Sequence, residues 1–213
     1  MPPARDDPEA LPFPAGTSPF RLKGVVYQGH ADYANEFIPG GERAVADSFR
    51  DEGLRAFFHQ RFLASSWYDA LPIVPVWLAC ARLLGQEAND FLRERTRHQA
   101  QRDIHGVYRF LLKLTSAESI AVRMPRVLQQ YFDFGRTEAS VVAPALVRAR
   151  VTGVPMGLVP WFRIVSETFL QVALELSGAR FVQIRRLAVD RDGTAHGVPL
   201  GALGFEIRTA PAV

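Results

Sequence analysis

Phe162–Val189 reads FRIVSETFLQVALELSGARFVQIRRLAV, and its two halves carry different periods. In the first half Phe162, Val165, Phe169, Val172, Ala173 and Leu176 recur at three- and four-residue steps, one face of an amphipathic helix. Ser177-Gly178 ends that helix. From Phe181 to Val189 the step is two: Phe181 against Val182 and Ile184 against Arg185 mark the opposite faces of a strand. Asp190-Arg191-Asp192-Gly193 is a turn signal, and Leu203–Arg208 reads as a closing strand. Upstream, Ser140–Val151 is valine-rich, and its Leu146–Val151 portion alternates in part, as a half-buried strand does.

Before Gly135 the pattern is helical. Val45, Phe49, Leu54, Phe57, Phe58 and Phe62 repeat at helical spacing, with Gly53 separating two short helices. Ser65–Asp69 is a turn or an extended link. Leu71–Leu84 is apolar nearly all round and reads as a buried helix, with Pro72 and Pro75 in its first turn and Gly85 at its stop. Gln86–Arg102 reads as an exposed helix and Ile104–Leu114 as another. Ser116 caps a further helix running toward Tyr131, kinked near Pro125. Ahead of all these, Leu22–Tyr27 is a short apolar run ended by Gly29 and reads as a strand.

Helices first, then strand, helix, strand, strand, is an α+β order. It predicts a helical N-terminal half packed on a small, mostly antiparallel C-terminal sheet with a crossing helix. Residues 1–19 hold six prolines among acidic and small residues, which predicts a disordered proline-rich leader. Residues 20–213 then form a single α+β domain.

The totals bound what such a domain does. With 48% apolar and 22% charged residues in 213, the chain has enough apolar surface for a core without disulfide or metal. Cys80 lies in an apolar run, where a small buried thiol of a reducing compartment is expected. No uninterrupted apolar run is long enough for a transmembrane segment, and the first residues hold no apolar stretch of a targeting signal. The cytoplasm is the expected location. Net charge is +3, and nearly all of the positive charge is arginine. A basic excess this small, without interleaved aromatics, does not point to nucleic acid.

The common catalytic and phosphate-binding motifs are absent: the sequence has no glycine-rich phosphate loop, no HExxH and no Gly-x-Ser-x-Gly elbow. No metal site is expected. His98 and His105 are seven residues apart, two helical turns or roughly 10 Å, so one ion cannot bridge them. Arg93, Arg97 and His98 form the densest basic stretch and are the candidates for an anionic partner, although Asp90 and Glu94 interrupt them. Arg148, Arg150, Arg185 and Arg186 add to a patch if the fold gathers them. The aromatics supply apolar surface for a pocket, which also needs a few convergent polar groups. Tyr131, Asp133, Arg136 and His105, with Trp67 and Tyr68, are the pocket candidates.

Leu22-Lys23-Gly24-Val25-Val26, Trp67-Tyr68, Tyr131-Phe132-Asp133-Phe134-Gly135, and the closing segment with Phe162, Phe169 and Ser177-Gly178-Ala179 occur in this order. Together they resemble a paralogous family of myxobacterial proteins with no assigned function. That family is similar in outline to the haem nitric-oxide-binding domain and to small-molecule-binding domains of the vinyl-reductase type. The resemblance implies a ligand pocket between helices and sheet and does not identify the ligand; a small apolar molecule is the expected partner. It implies haem only if the gas-sensing motifs survive. Those are a proximal histidine on a helix, for which His98 and His105 are placed, and a later Tyr-x-Ser-x-Arg that grips the haem propionates. Here Asp133 stands where serine is expected and Gly135 where arginine is, with Arg136 one residue late. An acid there repels a propionate, so the motif is broken.

The reading that follows is a non-enzymatic ligand-binding or signalling module without a predicted cofactor. Its rivals are a homodimeric interaction module without ligand, joined through helix or sheet surface, and a haem-based gas sensor. No residues read here as catalytic; an enzyme would need a site dispersed in sequence.

Overall fold

The computed structural model describes residues 7–105, 119–120, 122–123, 127, 129–179 and 181–209. The chain falls into two compact units. The first, the helical unit, holds Met1–Arg95 and Tyr131–Asp133; the second, the sheet unit, holds Thr96–Gln130 and Phe134–Val213.

The helical unit begins with a three-residue strand, β1 (Arg21–Lys23), and passes at once into helix α1 (Gly24–Phe37). The predicted strand through Tyr27 is therefore wrong beyond Lys23. Val25 and Val26 suggested extended chain, but the buried residues Val26, Tyr27, His30, Ala31, Tyr33 and Ala34 follow a helical period. Gly24 is needed at the junction: a Cβ there would lie 2.1 Å from the Leu63 carbonyl oxygen.

Next come α2 (Gly41–Asp47) and α3 (Glu52–His59). The break between them is not at Gly53, which lies inside α3. It is at Ser48–Asp51, where the Asp51 carboxylate accepts the Leu54 N–H at 2.7 Å as an N-cap. The linking segment at residues 65–69 contains a strand, β2 (Trp67–Asp69), antiparallel to β1, pairing Arg21 with Asp69, Leu22 with Tyr68 and Lys23 with Trp67.

Helix α4 (Ile73–Leu84) is buried on most sides and stops at Gly85, which takes φ +65°. Helix α5 (Ala88–His105) runs as one element through the gap predicted near Asp103, and it is not simply exposed. Phe91, Leu92, Arg95, Thr96, Ala100 and Ile104 are buried along it. The remainder of the predicted Ile104–Leu114 helix, and Ser116 and Pro125, lie outside the described residues. Residues 119–120, 122–123 and 127 are helical.

From Asp7 to Pro19 the leader is ordered, against expectation. Proline-rich sequence offers few backbone donors, and here those of Glu9, Gly16 and Ser18 meet carboxylates. Gly16 and Ser18 N–H groups each donate to Asp69 at 3.0 Å, and the Ser18 hydroxyl donates to the other oxygen of the same carboxylate. Glu9 in turn accepts the N–H groups of Arg50 and Asp51 at 3.0 and 2.9 Å.

The sheet unit opens with a hairpin, β3 (Arg136–Ala143) and β4 (Leu146–Pro155), where one strand had been predicted over Ser140–Val151. Pro144-Ala145 makes the turn, with Ala145 at φ +59°. A 3₁₀ turn at Met156–Leu158 leads into α6 (Val159–Leu176), which starts three residues before the predicted helix and carries Pro160 in its first turn. Strand β5 is only Gln183–Arg186. Asp190–Gly193, read as a turn, lies inside strand β6 (Asp190–Ala195); Gly193 there sits at a bulge with φ +84°. The actual turn is His196-Gly197, both at positive φ, the two-residue hairpin geometry that matches strand twist. Strand β7 (Val198–Arg208) closes the chain.

The strand order is β3-β4-β7-β5, with β6 also on β7, and every pairing is antiparallel. The α+β class and the helical-half-then-sheet order hold. In the sheet, Val147, Val151, Leu203, Phe205 and Ile207 are buried on one face, each side chain of this kind contributing about 2 kcal/mol. Arg148, Arg150 and Glu206 point to the other.

Candidate functional site

The helical unit brings three chemically distinct side chains close together from three helices. Helix α1 supplies His30, α4 supplies Cys80 and α5 supplies Arg95. All three are buried; His30 is 1% exposed and Arg95 3%. The Arg95 guanidinium donates from Nη2 to the Val26 carbonyl at 3.0 Å, one turn before His30 on the same helix. His30 differs from the other buried polar groups of this unit in that neither Nδ1 nor Nε2 meets a protein hydrogen-bond partner.

The surroundings fix the protonation states. Burial, and then the Arg95 charge, hold the His30 imidazole well below its usual 6.5. It is neutral at pH 7 and offers one N–H donor and one bare acceptor. Burial pushes the Cys80 thiol up to about 12, the Arg95 charge only partly opposing it, so Cys80 is no thiolate nucleophile. Nearby on α1, the Tyr33 hydroxyl donates to Glu94 at 3.2 Å, and burial together with that carboxylate raises it to about 12. The buried Tyr27 hydroxyl donates to the Asp69 carbonyl at 2.7 Å. Such a set offers neutral hydrogen-bonding groups beside one buried guanidinium.

His30 was missed in the sequence. The signal was present: it stands four residues after Val26 and three before Tyr33, on the apolar stripe of α1. The strand reading of residues 22–27 hid that stripe.

Four of the six predicted pocket residues do come together, at β1, but as scaffold. Trp67 pairs opposite Lys23, whose ammonium lies 3.9 Å from the indole centre. Tyr68 accepts the Leu63 N–H at 2.8 Å through its hydroxyl and packs edge-on against Phe62. On the other side of β1, Tyr131 accepts the Lys23 N–H at 2.8 Å through its carbonyl. The Asp133 carboxylate accepts the Arg21 N–H at 2.7 Å, and partial desolvation raises its pKa.

The other two belong to the sheet unit. Arg136 is 82% exposed and faces Glu138 at 4.0 Å, while His105 is exposed, with Nδ1 2.7 Å from the Gln101 carbonyl of its own helix. Of the anionic-partner candidates, Arg93 pairs with Asp90 at 2.9 Å and Arg97 with Glu175 at 2.8 Å, which spends their charge locally; His98 is half-buried on α5.

Two cavities in the helical unit, of about 780 Å³ and 750 Å³, are lined by none of the six pocket candidates. The first lies against residues 7–15, Arg50 and Asp51; the second is polar, with Gln28, Asp32, Asp47 and His59 on its wall. Among the described residues no cluster of histidine, cysteine and acids is arranged to hold a metal ion, and no helix is long and apolar enough to cross a membrane.

No family model matches the chain, and no curated protein matches it. Solved structures do. An isoleucine-to-phenylalanine mutant of the T. tengcongensis H-NOX aligns at a TM-score of 0.64 with 12% identity, covering 90% of this chain and 100% of the other. A Cs H-NOX variant carrying 4-cyano-L-phenylalanine aligns at 0.64 with 13% identity over 90% and 98%. An oxygen-binding H-NOX domain related to soluble guanylate cyclases gives 0.62 and 12% over 90% and 97%. The fold is that of an H-NOX domain. At this identity the H-NOX likeness carries the backbone arrangement, and a ligand has to be argued from the side chains of this chain. It agrees with the distant similarity to the haem nitric-oxide-binding domain drawn from Leu22–Val26, Trp67-Tyr68 and Tyr131–Gly135.

Proposed function

We propose that the protein is a non-enzymatic ligand-binding module that serves signalling, with His30 meeting the ligand inside the helical unit. The observation that carries this reading is the imidazole with two unpartnered nitrogens at 1% exposure. A buried polar group left unpaired costs roughly 1–3 kcal/mol, a cost that a bound small molecule offsets. The neutral ring fits a small, largely apolar ligand with one polar end, the usual chemistry of an enclosed site. The H-NOX likeness supports the class, since one of those neighbours is an oxygen-binding domain.

Haem itself fits the described residues poorly. Asp133 occupies the motif position where the resemblance expects a donor to a propionate, and its carboxylate already accepts the Arg21 N–H. Gly135 supplies no side chain, and Arg136 is on the surface beside Glu138. His105 is exposed, with Nδ1 2.7 Å from its own helix backbone. A haem-based sensor is therefore the lesser reading, favoured by the fold alone.

Native mass spectrometry of protein purified from its own host tests the proposal. The expected result is a small-molecule adduct on the wild type that is lost in His30→Leu. Absence of any adduct, or an adduct indifferent to the substitution, overturns the role of His30. In a parallel arm haem is added to the purified protein; a shifted Soret band that disappears in His98→Ala or His105→Ala would replace this reading with the gas sensor.

A further inference from the structure

The arginines of the C-terminal strands, scattered in sequence, are gathered by the register of the sheet onto one face. Arg148 on β4 and Arg185 on β5 both stand opposite Glu206 on β7, so the three form a row across the sheet. Glu206 is enclosed between them: Arg148 Nη2 donates to one carboxylate oxygen at 2.8 Å, and Arg185 donates to the other through Nε and Nη2. Those hydrogen bonds hold the Glu206 carboxyl below the usual range, so it is ionised at neutral pH.

One carboxylate thus serves two guanidinium groups, and both keep more than half of their side-chain surface in solvent, 53% for Arg148 and 66% for Arg185. The next row continues the pattern. Arg150 stands between Glu138 and Gly204, is 58% exposed and reaches Asp190 only at 3.5 Å. By strand parity Arg136 and Arg208 lie on this same face. The face therefore carries five arginines against four carboxylates, Glu138, Asp190, Asp192 and Glu206, of which Asp192 already accepts the Gly153 N–H.

We propose that this outer face of the sheet docks an acidic segment of a partner protein, with Arg148, Arg150 and Arg185 contacting its carboxylates. The excess of positive charge selects an anionic partner. Planar guanidinium forks match carboxylates in pairs, and Glu206 pre-orients two of them. Phe205, the one aromatic residue within strands β3 to β7, is buried on the opposite face, so the arginine rows are not interleaved with the stacking platform a single-stranded nucleic acid needs. The surface lies wholly within the sheet unit and is independent of His30, so it extends the ligand-binding reading with an output surface and does not depend on it.

Fluorescence anisotropy of a labelled decaglutamate peptide with the full chain tests this, at low and at raised salt, with circular dichroism confirming that each variant is folded. Binding should weaken about tenfold in Arg148→Gln/Arg150→Gln and weaken with salt. It should tighten in Glu206→Gln, whose amide oxygen can still accept from a guanidinium group while the competing negative charge is gone, and stay unchanged in Arg43→Gln, a surface arginine of the helical unit. Absence of binding, or binding equal in all variants, overturns the proposal. So does a single-stranded oligonucleotide of the same charge that competes and binds tighter, which would make the face a nucleic-acid surface.

Discussion

Two carboxylates, one in each unit, do opposite work with the same chemistry. Asp69 in the helical unit is 1% exposed and collects four donors, the N–H groups of Gly16, Ser18 and Leu71 and the Ser18 hydroxyl. All four are neutral groups, three of them backbone. Their effect is to fix the path of the chain ahead of β1, which no apolar stripe would hold. Glu206 in the sheet unit collects guanidinium groups from two strands. It fixes no backbone; it orients charges that remain at the surface. The helical unit thus turns its buried acid inward to build, and the sheet unit uses one to display.

The largest test of that contrast is Asp69→Ala. It strands several buried donors at once and releases residues 7–19, so the protein should lose about 4 kcal/mol of stability by urea denaturation. A loss below about 1 kcal/mol would mean that the leader is not held through this carboxylate and that the comparison fails on its first side.

A middle-sized effect is expected at His30, which has the burial of Asp69 without its partners. In ligand-free protein His30→Leu should stabilise the fold by about 1–2 kcal/mol at pH 7, because an unpaired imidazole is exchanged for an apolar side chain of similar size. The pH dependence follows from the depressed pKa. The folded state resists the proton that the unfolded state accepts at its usual 6.5, so this stability is complete above pH 6.5 and is lost as pH falls below it. One proton gives a slope of about 1.4 kcal/mol per pH unit. The variant should lose that slope, and an unchanged acid limb between pH 6.5 and 5 would show that His30 titrates in contact with water.

How much of this was legible in the sequence differs between the same two regions. The amphipathic stripe from Phe162 to Leu176 and the apolar run before Gly85 are long and periodic, and both were read correctly because burial alone decides them. The α1 helix was misread because Val25 and Val26 favour extended chain locally, while the stripe through His30 and Tyr33 that overrides them lies downstream. The turn reading of Asp190–Gly193 fails because Asp-Gly marks a turn only if the strands pair around it; here the His196-Gly197 turn sets the register and Gly193 becomes a bulge. Of the candidate site residues, Trp67, Tyr68, Tyr131 and Asp133 lie around β1. Their association serves the pairing of β1, a long-range contact no spacing rule reveals. The row Arg148, Glu206, Arg185 needed register across three strands, and sequence alone holds the residues without the register.

The smallest expected effect is on Glu206, and it sharpens the second half of the contrast. Its folded pKa lies below the ordinary 4.5, so its contribution to stability is present above pH 4.5 and disappears as pH falls through the folded value. Glu206→Gln should leave stability near neutrality little changed, since exposed arginines lose only a screened partner, and should flatten the acid limb below pH 4.5. High salt should shrink the wild-type limb toward that of the variant. If instead Glu206→Gln unfolds the protein at pH 7, the carboxylate is holding β4, β5 and β7 together as Asp69 holds its segment. The two units would then use their acids alike, and the arginine row would be structure before it is surface.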